Sequence, residues 1–444
     1  MRAVAFLLLA AVSTYSHPVT GETVAIVHAR IETVGPLGTI SNGTVLSVDG
    51  RIAAVGPDVR IPANARVIDA TGSIVTPGFI AASSNLTIAE IDELRVTHDD
   101  HSASLLGAAN DLQFGVNPAS TLIAEARHTG LTLAIATPQP ATSYDDESAE
   151  DFRAETAGTG KGSAMPRLYG GQAVAVRLGT NDSEPVLLAH AGVTLDLGDA
   201  GAIAAGSRGA AIILAHEALE DARRYAKHRA TFETQEIPSR YARADLEALQ
   251  PVLAGSAPLL VRAHRAADLR EALRFAKREG VRIIIEGAEE GWLVAGELAQ
   301  AKTPVIIDSE SDLPSSFEKL GSRLDNAARL NAAGVSVSIV GSRDFNTLRQ
   351  ARLNAGTAVA NGLPYAAALA SVSLNPALAW GIADRVGSIQ VGREADLVIW
   401  NGDPLETASY PKSVFVRGIE QPAGSRTFEL RDRYLPLDTA SAPR

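Results

Sequence analysis

The segment APLLVRAHRAADLREALRFAKREGVRIIIEG, residues 257–287, gives the clearest indication of the fold class. It begins and ends with short apolar runs rich in branched side chains, which are typical of buried strands. Between them, Leu269, Leu273 and Ala276 fall on one helical face, and Gly280 stands where a helix would end. A strand, a helix and a second strand in this order predict one βαβ unit.

The same rhythm continues along the chain after this stretch. TPVIID (303–308) and VSVSIV (335–340) have the pattern of further buried strands, and helical segments separate them. Strand starts recur roughly every 23 to 31 residues, the length of a strand-plus-helix unit. We therefore expect an α/β fold with a (β/α)8 TIM-like barrel over residues 79–385.

Both ends of the chain have a different pattern of apolar and polar residues. Short runs with period-two alternation follow residue 22, and Asn42-Gly43 and Asp49-Gly50 are strong hairpin signals between them. Similar short runs return after residue 386. Because neither end has enough apolar surface to be stable alone, we expect residues 17–78 and 386–444 to form one small composite β-sandwich.

The first residues, MRAVAFLLLAAVSTYS (1–16), predict a signal peptide. One arginine precedes an apolar run that is too short to span a membrane, and small residues follow it. The chain has no cysteine, so it can form no disulfide and carries no site for a lipid anchor after the run. We expect a mature protein in a bacterial periplasm, with no membrane span.

Composition limits the kinds of partner. The chain has 444 residues and a net charge of -11, and we expect no long basic stripe along it. Nucleic acids demand clusters of Lys and Arg, so we expect no nucleic-acid partner. A small-molecule ligand is the predicted partner, and the sequence leaves association of identical chains open.

Four segments near the two ends resemble one family. DGRIAAVGP, VIDATGSIVTPGFI, NPALAWGI and GSIQVGREADLVIWNGDPLE look like the framing segments of the amidohydrolase superfamily, and most of all its imidazolonepropionase-like periplasmic members. The resemblance implies a hydrolase barrel with a split β-sandwich. It also implies hydrolysis of a carbon–nitrogen bond, other than a peptide bond, in a small amide-like substrate with a divalent metal such as zinc.

The metal-binding positions that the resemblance implies do not hold the family's residues. The first barrel strand usually ends in His-x-His, whereas the segment PGFIAASSNL, residues 77–86, has Ser83 and Asn85 at those places. A hydroxyl and an amide oxygen are weak ligands even for a hard cation. The fifth-strand histidine corresponds to Arg262, whose permanent positive charge repels a metal.

The sixth- and eighth-strand positions are changed as well. Glu286 stands where the family has its sixth-strand histidine. The eighth-strand aspartate corresponds to Arg343, and Asp344 comes one residue later, on the other side of a regular strand. His264, two residues after Arg262, could replace a ligand through a small shift in register. We expect no bound metal and no other cofactor.

These residues form the predicted site at the carboxyl mouth of the barrel. The candidate catalytic residues are His264, Glu286 and Asp344, and the candidate substrate-binding residues are Ser83, Asn85, Arg262 and Arg343. Two arginines in the mouth favour an anionic ligand, because guanidinium binds carboxylates with two hydrogen bonds.

Two functions stay open from the sequence. The first is a hydrolase of small cyclic or linear amides that works either without a metal or with a metal held by unexpected residues such as His264, Glu286 and Asp344. The second is a pseudoenzyme, a periplasmic barrel that binds a small anionic ligand or a partner and catalyses nothing. A structural role also stays open for His264, and Arg262 and Glu286 could form an ion pair in the space of the metal. The segment VTHDDHS, residues 96–102, is interpreted as a solvated loop.

Overall fold

The computed structural model describes residues 22–91, 94–101, 106–139, 168–180, 182–230, 241–311, 313–341 and 350–435. The predicted signal peptide lies outside the described residues, as do Arg343 and Asp344. Among the helices within these ranges, none is both long enough and apolar enough to cross a membrane.

Two eight-stranded sheets hold the strands of the described chain. In chain order the strands are β1 (Val24–Glu32), β2 (Thr39–Val48), β3 (Arg51–Gly56), β4 (Arg66–Asp69), β5 (Ile74–Pro77), β6 (Phe79–Ser84), β7 (Leu131–Ala136), β8 (Tyr169–Arg177), β9 (Val186–Asp196), β10 (Leu259–Ala263), β11 (Ile283–Gly287), β12 (Val305–Asp308), β13 (Val337–Val340), β14 (Leu397–Trp400), β15 (Pro411–Val416) and β16 (Ile419–Glu420).

Helices connect the later strands and cover the barrel. They are α1 (Thr121–Arg127), α2 (Asp199–Ala205), α3 (Arg208–Lys227), α4 (Arg243–Ala248), α5 (Gln250–Leu253), α6 (Ala266–Glu279), α7 (Ala295–Gln300), α8 (Asn326–Ala332), α9 (Ala351–Ala360), α10 (Tyr365–Ser371), α11 (Leu374–Ala379) and α12 (Arg426–Tyr434). Short 3-10 helices add Arg95–Thr97, Leu112–Gly115, Gly291–Leu293 and Phe317–Lys319.

Strands β6 to β13 follow one another in order around a nearly closed barrel sheet. This confirms an α/β fold with an eight-stranded barrel sheet, but the all-parallel strand order that a (β/α)8 barrel implies does not hold throughout. Strand β8 runs antiparallel to both β7 and β9. The link between β8 and β9, residues 178–185, is too short for the crossover that parallel neighbours need.

Side chains that alternate along the barrel strands separate two layers of core. One layer fills the barrel interior, and the other lies between the strands and the surrounding helices. Interior residues include Ile80, Ala82, Leu133, Ile135, Leu260, Ile284, Ile306 and Trp380. Because Arg262 and Glu286 each come two residues after an interior residue, they face the same interior near its carboxyl end.

The second sheet joins both ends of the chain. Its order is β16-β15-β14-β5-β1-β2-β3, with β4 also paired to β1. Strand β14 lies antiparallel to β5, so Leu397 is opposite Pro77 and Trp400 is opposite Ile74. The two ends therefore share a sheet, while their separate existence as a sandwich domain with the predicted boundaries stays a prediction.

Candidate active site

Arg262 lies at the centre of a cluster built by strand register. At the end of β10 it is directly opposite Asp196 on β9 and Glu286 on β11. Its Nε donates to Oε2 of Glu286 at 2.8 Å, and its Nη1 donates to Oδ1 of Asp196 at 3.3 Å. Its Nη2 donates to the carbonyl oxygen of Pro138, just after β7, at 2.6 Å. One guanidinium thus binds residues from three neighbouring parts of the barrel rim.

The charges in this cluster depend on one another. Burial of Arg262 disfavours its charged form, but attraction to Glu286 and Asp196 outweighs burial and raises its pKa. Arg262 is only 6% exposed, so little water screens these interactions. Two carboxylates flank one cation, which weakens the pull of Arg262 on an anionic ligand. That an anion binds here stays a prediction.

Ser83 and Asn85 lie beside this cluster, at and just after the end of β6. Both residues are buried. The hydroxyls of Ser83 and Thr137 are 2.8 Å apart, and Thr137 directly precedes the Pro138 carbonyl that Arg262 binds. Thus Ser83 and Arg262 are bound to adjacent residues of the same rim segment.

His264 belongs to a second cluster, on the next turn of chain after β10. Its Nδ1 is 2.6 Å from Oε2 of Glu289, and its Nε2 is 3.4 Å from Oε1 of Glu318. The ammonium of Lys319 is 3.2 Å from Oε1 of Glu289. Gly287 leaves room for the imidazole, because a Cβ there would lie 2.5 Å from Nδ1 of His264.

This second cluster favours the protonated imidazole. Burial opposes charge on His264, but the hydrogen bond and attraction to Glu289, with a smaller effect of Glu318, raise its pKa despite Lys319. The same contacts outweigh burial and lower the pKa of Glu289 to about 2. With 18% of its side chain exposed, His264 is oriented by a carboxylate and still reachable from solvent.

The interpretation of VTHDDHS as a solvated loop is wrong for Asp100. Its side chain is fully buried, and Nδ1 of His101 lies 3.2 Å from its Oδ1. Nδ1 of His98 is 3.8 Å from the same oxygen. The backbone of Gln139 donates to the carbonyl of Asp100 at 2.8 Å, so this His-Asp-His group lies against the rim segment that Arg262 binds. A contact between distant segments gives no local signal in the sequence.

Asp308, at the end of β12, is another rim residue that the sequence did not indicate as a site residue. Burial raises its pKa, while hydrogen bonds from the Glu310 backbone and the Asn354 amide oppose the shift. Sequence alone could have suggested it only through its place at a barrel strand end. The eighth-strand pair, Arg343 and Asp344, lies outside the described residues.

The described strand ends do not fit the divalent metal that the resemblance implies. Arg262 has no lone pair to offer, and its charge repels a dication. Glu286 is bound to that guanidinium, and Ser83 offers only a hydroxyl. Within the described ranges, no group of three or more His, Asp or Glu side chains could hold a metal ion.

The family model described as "Amidohydrolase family" matches residues 260–422. An amidohydrolase of Hapsidospora irregularis is 47% identical over 60 residues, which are 14% of this chain and 6% of that protein. The imidazolonepropionase of Geobacillus kaustophilus is 38% identical over 86 residues, 18% of this chain and 20% of that enzyme. The matched segments thus span a fifth or less of either relative.

Solved structures extend the likeness to the whole fold. An amidohydrolase from Thermotoga maritima superposes with a TM-score of 0.76 and covers 89% of this chain and 99% of its own, at 23% identity. At that identity the likeness concerns the fold alone. The family match over part of the chain and the local sequence similarities agree with the resemblance to the amidohydrolase superfamily.

Proposed function

We propose that this protein hydrolyses a carbon–nitrogen bond, other than a peptide bond, in a small amide-like substrate, and that it does so without the family's metal. The observation that carries the proposal is the pair formed by His264 and Glu289, 2.6 Å apart at the carboxyl end of a barrel strand. A carboxylate-oriented imidazole at this face is suited to general acid–base catalysis.

The charges of the clusters around Arg262 and His264 suggest which residue donates a proton and which accepts one. The raised pKa of His264 favours an imidazolium that donates its proton to the leaving nitrogen as the carbon–nitrogen bond breaks. A water molecule adds its oxygen to the carbonyl carbon, and Glu286 is the candidate base that accepts the water's proton. Arg262 holds that carboxylate in place. The products are a carboxylic acid and an amine.

A hydrolysis assay tests the proposal. Purified protein would be dialysed against a chelator and incubated with linear amides, cyclic amides and N-acyl amino acids, and amine release would be measured. The activity should survive the chelator. His264→Asn should lower kcat by about 10²-fold or more, the usual contribution of a general acid.

His28→Asn is the matched control. It makes the same change at an exposed imidazole in the sheet formed by the chain ends, and should leave kcat unchanged. Unaltered kcat in His264→Asn would contradict the role of His264. Binding of these compounds with no turnover of any would contradict hydrolysis and favour the pseudoenzyme.

We also propose that the chain is exported, because residues 1–16 have the pattern of a signal peptide. Mass spectrometry of protein from a bacterial periplasm should find an N-terminus near residue 17. An intact Met1 in that fraction would contradict the proposal.

A further inference from the structure

A groove with a volume of about 850 Å³ lies at the opposite end of the barrel from the candidate active site. Its floor contains Pro258, Ile283, Pro304 and Ser336, which begin or directly precede strands β10 to β13. Helices α6 and α7 form its walls. Its volume is that of a pocket for a small organic ligand.

Positive charge dominates the lining of this groove. Five cations line it, against one carboxylate, although the whole chain has a net charge of -11. The cations are Arg270, Arg274, Lys277, Arg282 and Lys302. Three of them follow one face of α6 at helical spacing, so the positive charge is concentrated along a wall.

Three of these cations have no ion pair among the described residues. Arg270 pairs with Glu297 at 2.8 Å, and Arg274 pairs with Glu271. In contrast, the structure joins Lys277, Arg282 and Lys302 to no carboxylate within the ranges it describes. These three charges are therefore available to an anion from solution.

The floor of the groove is mainly apolar, with Ser336 as its polar member. Leu273 and Leu378 line it together with the strand entries, and Leu378 is 55% exposed. A ligand that covers this leucine removes apolar surface from water, which favours binding. The lining thus offers an apolar surface below a cationic rim.

We propose that this groove binds an amphiphilic anion, a phosphate-class head group joined to a short apolar chain. Lysine and arginine bind phosphate oxygens through charge-assisted hydrogen bonds. The apolar floor provides the contact that a free phosphate cannot use. This inference does not depend on the proposed hydrolase activity, because the two sites lie at opposite ends of the barrel.

Calorimetric titration of the full chain with three probes tests the proposal. The probes are octyl phosphate, octyl glucoside and inorganic phosphate, each at a concentration at which it is monomeric. Octyl phosphate should bind at least tenfold more tightly than either of the others, because only it has both parts. Equal binding of inorganic phosphate would overturn the apolar contact, and equal binding of octyl glucoside would overturn the role of charge.

Charge-matched variants locate the site. K277Q/R282Q/K302Q should weaken the binding of octyl phosphate about tenfold, which corresponds to 1.4 kcal/mol, because it removes three cations whose exposed contacts with the head group are each weak. R60Q/K227Q/R433Q removes the same charge from exposed positions elsewhere and should bind like the natural chain. Equal affinity of the two triple variants would overturn the assignment to this groove.

Discussion

Arg262 and Glu286 lie opposite each other on neighbouring parallel strands, with Nε of the arginine 2.8 Å from Oε2 of the glutamate. The family resemblance places metal ligands at both positions. Here Arg262 binds Glu286 on one side and Asp196 on the other. We propose that the guanidinium of Arg262 takes the place at which the resemblance expects a metal.

Arg262→Met should destabilise the fold strongly. It removes the guanidinium that binds Asp196 and Glu286 in a buried site, and removing one partner of a buried ion pair costs about 3–5 kcal/mol. Urea denaturation followed by circular dichroism measures this loss. Arg426→Met, which removes an exposed arginine from α12, is the control and should change stability by less than about 0.5 kcal/mol. A loss for Arg262→Met as small as the control's would show that the cluster does not hold the rim together.

The contribution of His264 to stability should fall as pH rises. Its pKa is raised in the folded state, so its contribution is complete below the unfolded value of 6.5 and disappears as pH rises through the folded value. The pKa of Glu289 is lowered to about 2, so its contribution is complete above its ordinary 4.5 and disappears on further acidification. Both contributions are present between these two ordinary values.

Unfolding free energies of the natural chain and His264→Asn, measured from pH 4 to 9, test this dependence. The difference between the two proteins should be largest between the ordinary values of 4.5 and 6.5 and should shrink at alkaline pH. His28→Asn should show no comparable trend. A difference for His264→Asn that stays constant across the series would contradict the ion pair.

Asp396→Asn should become more stabilising, relative to the natural chain, as pH rises. Burial raises the pKa of Asp396 to about 7 from 3.8, so the folded state loses stability between these values as the unfolded chain releases its proton. An asparagine keeps the oxygen that accepts from the Arg417 backbone at 2.8 Å but does not titrate. The gain between pH 4 and 8 should be up to about 4 kcal/mol.

Paired urea titrations at the two pH values measure that gain. Asp432→Asn, at a carboxylate that is 62% exposed in α12, should show no pH-dependent gain. If Asp396→Asn and Asp432→Asn behave alike, Asp396 is not a carboxyl group that burial keeps protonated.

A chain that ends at Gly387 should not fold cooperatively. It lacks β14, which lies antiparallel to β5, and it lacks the fully buried Trp400, whose ring centroid is 5.4 Å from that of Phe79. Calorimetry should find no cooperative melting transition. A transition at the temperature of the full chain would contradict the shared sheet's role in stability.

Individual helices and strands could be predicted where the spacing of apolar residues matches the repeat of a helix or a strand. The helical face through Leu269 and Leu273 and the stop at Gly280 match α6, Ala266–Glu279. The positions of Arg262 and Glu286 at strand ends were predicted in the same way, because each residue directly follows a short apolar run. Because side chains alternate between the two faces of a strand, the spacing from a buried residue predicts which residues face the barrel interior.

Relations between distant segments could not be predicted in this way. The antiparallel direction of β8 depends on pairing with β7 and β9, and its own residues carry no sign of direction. The burial of Asp100 depends on the segment around Gln139, far along the chain. The contact between His264 and Glu289 could likewise not be predicted, because it depends on the conformation of the turn after β11.

The metal content of the natural chain shows whether the guanidinium of Arg262 has replaced a metal in this barrel. Protein expressed with zinc, manganese and iron in the medium would be dialysed extensively and examined by elemental analysis, together with the hydrolysis assay. Because the guanidinium of Arg262 is bound between Glu286 and Asp196, we expect far less than one metal ion per chain and activity that a chelator leaves unchanged. One tightly held metal per chain, with hydrolysis lost on chelation, would contradict the account.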